Sequence, residues 1–358
     1  MPAATSTLSL LGQSLWLDNI TRDLLDHGAL QSYIDTLSVT GLTSNPTIFD
    51  KAIAGSAAYD AEIRQRHAAG ESDEDLFFHL AIADLQRAAD MFAPIYAARC
   101  GVDGFVSLEV SPRLAHDTAA TSAQAKSLHA RAARTNLFMK IPGTREGVAA
   151  IAECLFAGVP VNVTLLFSVG QYRAAADAWL TGLERRVEAG LAPDTASVAS
   201  LFVSRWDVAV AELVDPPLRN TLGIAVASQV YRAYRDMMES DRFQRLQTLG
   251  ARPQRLLFAS TGTKDPGALD TLYIDALAAP NTINTMPEKT LQAFAAHGAA
   301  AVAMAHDAAA ADAVVARHVE VGIDIDAVGA QLQDEGASSF VASWESLLAG
   351  IAAKRVAT

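Results

Sequence analysis

Eight short apolar runs, separated by longer amphipathic segments, constrain the fold of this 358-residue chain more than any other feature. Short apolar runs predict buried β-strands, and the apolar spacing between them predicts helices. The predicted strands cover residues 14–18, 39–43, 104–110, 137–141, 159–166, 197–203, 255–260 and 282–286. The clearest helical patterns cover residues 75–99, 119–134, 170–189, 221–249 and 287–296. Strands that alternate with helices predict a parallel sheet, and eight such units predict an α/β fold, a single-domain (β/α)8 TIM barrel with additional helices.

An open doubly wound sheet is the alternative fold, but it usually carries a glycine-rich first turn, and no G-x-G-x-x-G follows a strand here. We expect one domain over residues 1–358. Residues 1–12 would form a lead-in segment, flexible or a short helix at the barrel bottom, and residues 320–358 a C-terminal helical segment that packs on the barrel. The alanine-rich stretch 295–316 is interpreted as helix, because alanine is the best helix former.

Composition excludes several classes of partner. The formal charge of −12 disfavours nucleic acid and anionic lipid, and no apolar run approaches the ~20 residues that span a membrane. Cys100 and Cys154 lie in apolar helical patterns and are expected to be buried free thiols. With no signal peptide apparent, these features predict a cytoplasmic protein. The sequence does not decide between a monomer and a homodimer.

In a barrel of this kind, the active site lies at the carboxyl ends of the strands. Seven of the predicted strands end in polar or ionisable residues, which would be costly to bury without partners. These residues are Asp18, Thr43, Ser44, Asn45, Glu109, Lys140, Asn162, Thr164, Ser200, Ser260 and Thr261.

Lys140 lies within a predicted buried strand, where desolvation favours the neutral amine that attacks a carbonyl group. Glu109 and Asp18 end other strands and would supply two proton carriers at the same barrel mouth. Two structural alternatives remain open. Lys140 and Glu109 could form an ion pair that only fixes the barrel interior, and Asp18 could be the N-cap of the helix that follows it.

Other side chains at the strand ends are suited to binding a polar ligand. Asn45 would hold substrate hydroxyls, although Asn-Pro also suits a turn. Asn162 and Thr164 are two residues apart and would share one strand face, while Val161, Val163 and Leu165 would point to the helices.

The sixth and seventh strands lead to candidate phosphate ligands. Ser200, Phe202 and Ser204 would share one face of their strand, and Arg205 follows them. Lys264 follows the seventh strand. Phosphate sites recur after the late strands of such barrels, although each cation taken alone also suits an ordinary surface position.

Several ordered motifs resemble those of the transaldolase family, specifically its long bacterial form within the class I Schiff-base aldolases. GLTSNPTIF at residues 41–49 resembles the first family signature, and LFMKIPGTREGV at 137–148 resembles the signature that contains the Schiff-base lysine. SLFVSR at 200–205, ASTGTK at 259–264 and NTINTMPE at 281–288 resemble further segments. The resemblance covers essentially the whole chain.

This resemblance implies a role for each candidate residue. Lys140 would form the imine, Asp18 would take the proton from the donor's C4 hydroxyl, and Glu109 would act through a water held by Thr164. Asn45, Asn162 and Ser200 would orient the dihydroxyacetone hydroxyls, and Phe202 would complete this wall. Arg205, Ser260 and Lys264 would hold the phosphate.

The implied reaction converts sedoheptulose 7-phosphate and glyceraldehyde 3-phosphate into erythrose 4-phosphate and fructose 6-phosphate. The family needs no metal and no organic cofactor, and the eight histidines show no metal-ligand spacing.

Three positions bear on specificity. Leu201 and Trp206 depart from the usual family pattern, and Trp206 is bulky enough to shift Arg205. Related fructose 6-phosphate aldolases carry tyrosine at the position of Phe202, so phenylalanine favours transfer over release of free dihydroxyacetone. That aldolase, an isomerase-like barrel and a non-catalytic binding barrel are the alternative functions.

Overall fold

The computed structural model describes residues 4–299, 303–305 and 307–356 and shows eight parallel strands. The strands are β1 (Ser14–Asp18), β2 (Val39–Thr43), β3 (Val106–Glu109), β4 (Leu137–Pro142), β5 (Val161–Leu166), β6 (Ser197–Phe202), β7 (Arg255–Ala259) and β8 (Ile283–Met286). All eight predicted strands are confirmed. The open-sheet alternative is wrong, because the strands follow one another in chain order around the sheet, β1 pairs with β8, and β2 contacts β3.

Helices follow the strands and surround the barrel. They are α1 (Ala4–Leu10), α2 (Arg22–Asp26), α3 (Ala29–Leu37), α4 (Pro46–Gly55), α5 (Asp60–Ala68), α6 (Asp73–Ala98), α7 (Thr118–Ala132), α8 (Arg145–Phe156), α9 (Val169–Glu188), α10 (Ser204–Val210), α11 (Leu222–Glu239), α12 (Asp241–Thr248), α13 (Leu272–Ala276), α14 (Glu288–His297), α15 (Ala309–Glu320) and α16 (Ile325–Val356). Short 3₁₀ turns cover Ala57–Tyr59, Pro112–Leu114 and Pro216–Leu218. Within the described residues, no helix is both long and apolar enough to cross a membrane.

The barrel closes between β2 and β3, where pairing is loosest. The Leu42 amide donates to the Phe105 carbonyl at 3.0 Å, and the Ser44 hydroxyl donates to the Ser107 carbonyl at 2.7 Å. From β3 to β5 the register is regular and aligns polar residues at one level. Glu109 is opposite Lys140, which in turn is opposite Asn162. Three neighbouring strands therefore present three polar side chains at one depth of the barrel.

Strand β5 contains an irregularity beside the site. Its register with β6 shifts between Val163 and Leu166, and Leu165 has a positive φ of 57°. The Leu165 side chain points to a helix, as predicted, and that helix is α16. The Leu165 carbonyl accepts a hydrogen bond from the Gln333 amide at 2.9 Å. The bulge thus binds β5 to the last helix.

Helix α16 runs across the carboxyl ends of the strands. Its 32 residues span about 48 Å, enough to cross the barrel. It contacts α4, the 3₁₀ turn after β3, β5 and α10. Trp344 is buried against Phe77 and Phe78, with ring centroids at 4.9 Å and 5.5 Å. This helix therefore roofs part of the barrel mouth.

The structure corrects two predicted helices. The pattern over 221–249 is divided at Ser240, where the backbone is extended. The Ser240 hydroxyl caps α12, because it accepts a hydrogen bond from the Phe243 amide at 3.3 Å. The alanine-rich stretch is not one helix, because α14 ends at His297 and α15 begins only at Ala309. Residues 300–302 and 306 of that stretch lie outside the described part of the chain.

The two thiols have different environments. Cys154 is fully buried in α8, and burial raises the pKa of its thiol to about 11. Cys100 is exposed, so its predicted burial is wrong. It follows the end of α6 in a left-handed conformation, with φ 52°, which takes it off the apolar face of that helix.

Gly147 in α8 allows this helix to begin directly against β4. A Cβ at this position would lie 2.0 Å from the Pro142 carbonyl oxygen, a backbone atom that cannot move without disturbing the strand that carries Lys140. We expect Gly147→Ala to lower the free energy of unfolding by about 1–3 kcal/mol, the usual cost of overpacking.

Gly350→Ala is the matched control, since Gly350 lies in α16 with nothing within 4 Å of its added Cβ. Urea denaturation should show Gly350→Ala unchanged or stabilised by up to about 1 kcal/mol. Equal effects of the two substitutions would contradict the close approach of α8 to β4.

Candidate active site

A cavity of about 350 Å³ opens at the carboxyl ends of the strands, a volume typical of small-molecule sites. Eleven residues were given a role by the family resemblance, and nine of them line this cavity. The other two, Glu109 and Asn162, lie behind its wall. The lining residues are Asp18, Thr43, Asn45, Thr47, Ile48, Lys51, Lys140, Thr164, Ser200, Phe202, Arg205, Ala259, Ser260, Gly262, Lys264, Thr285, Pro287 and Phe340.

A larger cavity, of about 600 Å³, lies at the opposite end of the barrel. Its buried charges, Arg255 and Asp103, lie 3.8 Å apart, and Asp103 also accepts from the Trp16 indole at 2.8 Å. These groups satisfy one another, which suits a structural role at the barrel base. The chemistry therefore points to the smaller cavity.

Lys140 reaches the cavity from the middle of β4. Its side chain is buried, and its Nζ donates to Glu109 Oε2 at 3.0 Å and to the Ser44 carbonyl at 3.1 Å. The Phe340 ring of α16 covers it, with the ring centroid 5.4 Å from Nζ. A buried amine beside a proton acceptor, open to a cavity, can be a nucleophile toward a carbonyl carbon.

Two carboxyl groups flank this amine. Burial raises the pKa of the Glu109 carboxyl, and the Lys140 charge only partly opposes that rise. Burial likewise raises the pKa of Asp18, against the Lys140 charge and a 2.7 Å hydrogen bond from Thr43. A carboxyl group with a raised pKa is a stronger proton acceptor, which suits it to general acid–base chemistry.

Asp18 does not cap the following helix. The N-cap of α2 is Thr21, whose hydroxyl accepts from the Leu24 amide at 2.9 Å. The alternative interpretation of Asp18 is therefore wrong. Its carboxylate instead ends a hydroxyl chain, in which Thr43 Oγ1 lies 2.7 Å from both Asp18 Oδ1 and Thr285 Oγ1.

Asn45 begins a helix and also lies at the cavity wall. Its Oδ1 accepts from the Ile48 amide at 3.0 Å and so caps α4, which begins with Pro46 at its first position. The same residue lines the cavity. The cap therefore fixes the Asn45 amide at the wall of the cavity.

Asn162 lies one layer deeper than the cavity wall. Its Oδ1 accepts from the Ser200 hydroxyl at 2.7 Å, and its Nδ2 donates to the Ser107 hydroxyl at 3.1 Å. Asn162 thus holds Ser200, which does line the cavity. Thr164 lines it as well, and its buried hydroxyl has no hydrogen-bond partner in the described part of the chain. An unpaired buried hydroxyl at a cavity wall suits a bound water or substrate.

Arg205, Ser260 and Lys264 meet on one side of the cavity. Burial lowers the pKa of the Arg205 guanidinium, and its Cζ lies 5.2 Å from the Phe202 ring centroid. In the described part of the chain neither Arg205 nor Lys264 forms a direct salt bridge, and the carboxylates of Glu335 and Asp18 act on them only at longer range. Two unpaired cations beside a serine hydroxyl can bind a phosphate group.

Strand β6 ends one residue earlier than predicted, at Phe202. Ser204 therefore starts α10 instead of sharing the strand face, and its hydroxyl lies 2.9 Å from that of Ser260. Buried Asp207 anchors α10, since it accepts from the Leu222 amide at 2.9 Å and from the Tyr273 hydroxyl at 2.8 Å. Arg205 is thereby held on a fixed helix.

Trp206 points away from the cavity. Its ring is fully buried, and its Nε1 donates to the Phe167 carbonyl at 3.0 Å. Gly329 of α16 packs on the ring, so the indole fills space under that helix. The bulk of Trp206 thus supports the base of α10 and leaves the cavity beside Arg205 open.

The side chains of the cavity wall that sequence reasoning missed include Lys51, Thr285 and Phe340. Thr285 had a detectable signal, because it is the polar residue near the end of the eighth strand. Lys51 lies one helical turn after Thr47 and so shares its face of α4. Phe340 lies 200 positions from Lys140 and has no local signal.

Replacing Lys140 should make stability depend more strongly on pH. In Lys140→Met the ammonium that opposes the raised Glu109 pKa is gone, so that pKa rises further. Above the unfolded carboxyl pKa the unfolded state ionises freely while the folded state retains its proton, so stability falls as pH rises. We expect the free energy of unfolding of Lys140→Met to fall more steeply with pH than that of the parent protein, by up to about 1.4 kcal/mol per pH unit. Urea denaturation between about pH 5 and about pH 8 measures this slope.

The double variant Lys140→Met/Glu109→Gln is the control, because it lacks one of the two carboxyl groups whose pKa Lys140 lowers and should lose the Glu109 share of the additional slope, while Asp18 retains its own. An unchanged slope in Lys140→Met would show that Glu109 is not electrostatically coupled to Lys140.

Comparison with known proteins agrees with this geometry. The family described as Transaldolase/Fructose-6-phosphate aldolase matches residues 15–351. The chain is 44% identical over 357 residues to a transaldolase of Parafrankia sp., with 97% of each chain covered. It is 45% identical to transaldolases of Mycobacterium bovis and Acidothermus cellulolyticus, with 96% of this chain and 95% of each relative covered. The chain therefore belongs to the transaldolase family, whose members are enzymes of the transferase class.

Proposed function

We propose that this enzyme transfers a dihydroxyacetone unit through an imine on Lys140. The reaction would convert sedoheptulose 7-phosphate and glyceraldehyde 3-phosphate into erythrose 4-phosphate and fructose 6-phosphate, in the non-oxidative pentose phosphate pathway. The observation that carries the proposal is the buried Lys140 amine, 3.0 Å from Glu109 and open to a cavity that Asp18 also lines. The free thiols and acidic charge support a cytoplasmic location.

Imine formation needs a neutral amine and a route for protons. Lys140 passes a proton to Glu109, whose raised pKa makes it a good acceptor, and the free amine attacks C2 of the ketose. The carbinolamine hydroxyl then takes a proton and leaves as water. Thr164, with its unpaired buried hydroxyl, would hold the water through which Glu109 delivers that proton.

Cleavage needs a base at the C4 hydroxyl. Asp18 removes this proton, the C4 oxygen forms the carbonyl of the leaving aldehyde, and the C3–C4 bond breaks. The electron pair of that bond forms the C2=C3 double bond of an enamine, as the π pair of the iminium group moves to its nitrogen. The aldose phosphate leaves, while the three-carbon unit stays on Lys140. Attack of the enamine on an acceptor aldehyde reverses these steps, and Asp18 returns its proton to the new hydroxyl.

The cavity wall supplies binding as well as chemistry. Asn45 and Ser200 would hold the hydroxyls of the three-carbon unit, with Asn162 fixing Ser200 from behind. Arg205, Lys264 and Ser260 would bind the phosphate at the other end of the sugar. Holding both ends places C2 at Lys140 and the C4 hydroxyl at Asp18, which lowers the entropic cost of reaction.

Product analysis tests this proposal. With fructose 6-phosphate and erythrose 4-phosphate, we expect sedoheptulose 7-phosphate and glyceraldehyde 3-phosphate in equal amounts, and little dihydroxyacetone when the acceptor is left out. Chromatography with mass detection measures all four compounds, and Lys140→Ala serves as the inactive control. Release of dihydroxyacetone at the same rate with and without acceptor would indicate a free aldolase, and absence of products would refute the proposal.

Phe202→Tyr should raise the release of free dihydroxyacetone relative to transfer. The Phe202 ring lines the cavity, so a phenol there would bring a proton donor and a water ligand to the enamine side of the site. Phe202→Leu is the control, because it removes the ring without adding a hydroxyl. If the ratio of release to transfer does not differ between the two variants, the hydroxyl at this position does not decide the outcome.

A further inference from the structure

The cavity wall carries an additional cation with no assigned role. Four cationic side chains line the cavity, namely Lys51, Lys140, Arg205 and Lys264, and Asp18 is the one carboxylate among the lining residues. Lys140 pairs with Glu109 behind the wall. No carboxylate of the described chain pairs with Lys51. This excess of positive charge at the cavity is notable in a chain of net charge −12, because a negative surface repels anionic substrates.

Topology places Lys51 across the mouth from the other two unpaired cations. Arg205 and Lys264 follow β6 and β7, whereas Lys51 lies in α4, which follows β2. In a closed barrel of eight strands, β2 and β6 are four strands apart and face each other. The unpaired cations therefore flank the cavity instead of forming a single cluster.

The face of α4 that carries Lys51 is fixed in position. Asn45 caps this helix, and Thr47 Oγ1 lies 2.7 Å from Ser343 Oγ of α16. Thr47 and Lys51 are four residues apart, so they share the helix face that lines the cavity. Lys51 is exposed, which puts its ammonium at the rim, where it stays hydrated and mobile enough to meet an incoming anion.

We propose that Lys51 is a specificity-determining residue that captures phosphorylated substrates at the cavity entrance, opposite Arg205 and Lys264. This inference rests on the proposed function for the identity of the substrate and on the cation arrangement for the site itself. Lys51 contributes to binding of the phosphate dianion and takes no part in proton transfer. Its effect therefore falls on KM.

The expected effect is modest because the charge is exposed. A unit charge about 8 Å from a dianion, in water at physiological salt, changes the local dianion concentration by about twofold to fivefold. Lys51→Gln should therefore weaken binding of inorganic phosphate and raise KM for fructose 6-phosphate by this factor. Lys51→Arg should retain both values.

The test combines calorimetric titration with inorganic phosphate and steady-state kinetics at low and high salt. Lys126→Gln is the matched control, since Lys126 is an exposed lysine of α7 and its replacement changes the net charge equally. We expect Lys126→Gln to behave as the parent protein, and the Lys51→Gln effect to shrink at high salt.

Equal behaviour of Lys51→Gln and Lys126→Gln would overturn the inference, as would a fall in kcat with KM unchanged, or the absence of phosphate binding by the parent protein. The phosphate titration does not depend on turnover. The parent protein could bind phosphate and yet show no transfer activity. In that case, weaker phosphate binding by Lys51→Gln would support the role of Lys51 at the entrance, while the missing activity would refute the proposed function.

Discussion

The ion pair between Lys140 and Glu109 is the interaction on which the rest of the site depends. Both groups are buried and lie 3.0 Å apart, and a buried charge without a partner is strongly destabilising. A hydrophobic pair of similar size would usually serve stability as well or better. We therefore propose that the pair serves the chemistry of the site, because one proton shared between an amine and a carboxyl group would leave the amine free to react.

The barrel supplies the geometry for this pair, and the last helix supplies its cover. The register sets Glu109 opposite Lys140 on neighbouring strands, so their contact follows from strand pairing. Helix α16 then places Phe340 over the amine and binds β5 through Gln333. Exclusion of water by this roof strengthens every electrostatic interaction beneath it. The phosphate side has a separate support, since Asp207 fixes the helix that carries Arg205.

The fold was predictable because each strand–helix unit is encoded locally, by apolar periodicity and turn residues. The site residues at the strand ends were predictable for a related reason: a parallel barrel brings all strand ends to one rim. What escaped prediction depends on contacts between distant segments or on local backbone geometry. Phe340 reaches Lys140 only through the path of α16, and the positive φ of Leu165 reflects a bulge in β5. The break at Ser240 was encoded locally, by a serine N-cap within a continuous apolar pattern.

Covalent trapping of the three-carbon unit tests the central role of Lys140 most directly. The protein is incubated with fructose 6-phosphate, reduced with borohydride and analysed by intact and peptide mass spectrometry, beside Lys140→Ala. The account predicts a reduced three-carbon adduct on the Lys140 peptide, absent from the variant and discharged when erythrose 4-phosphate is added before the borohydride. No adduct under turnover conditions, or an adduct on another lysine, would contradict it.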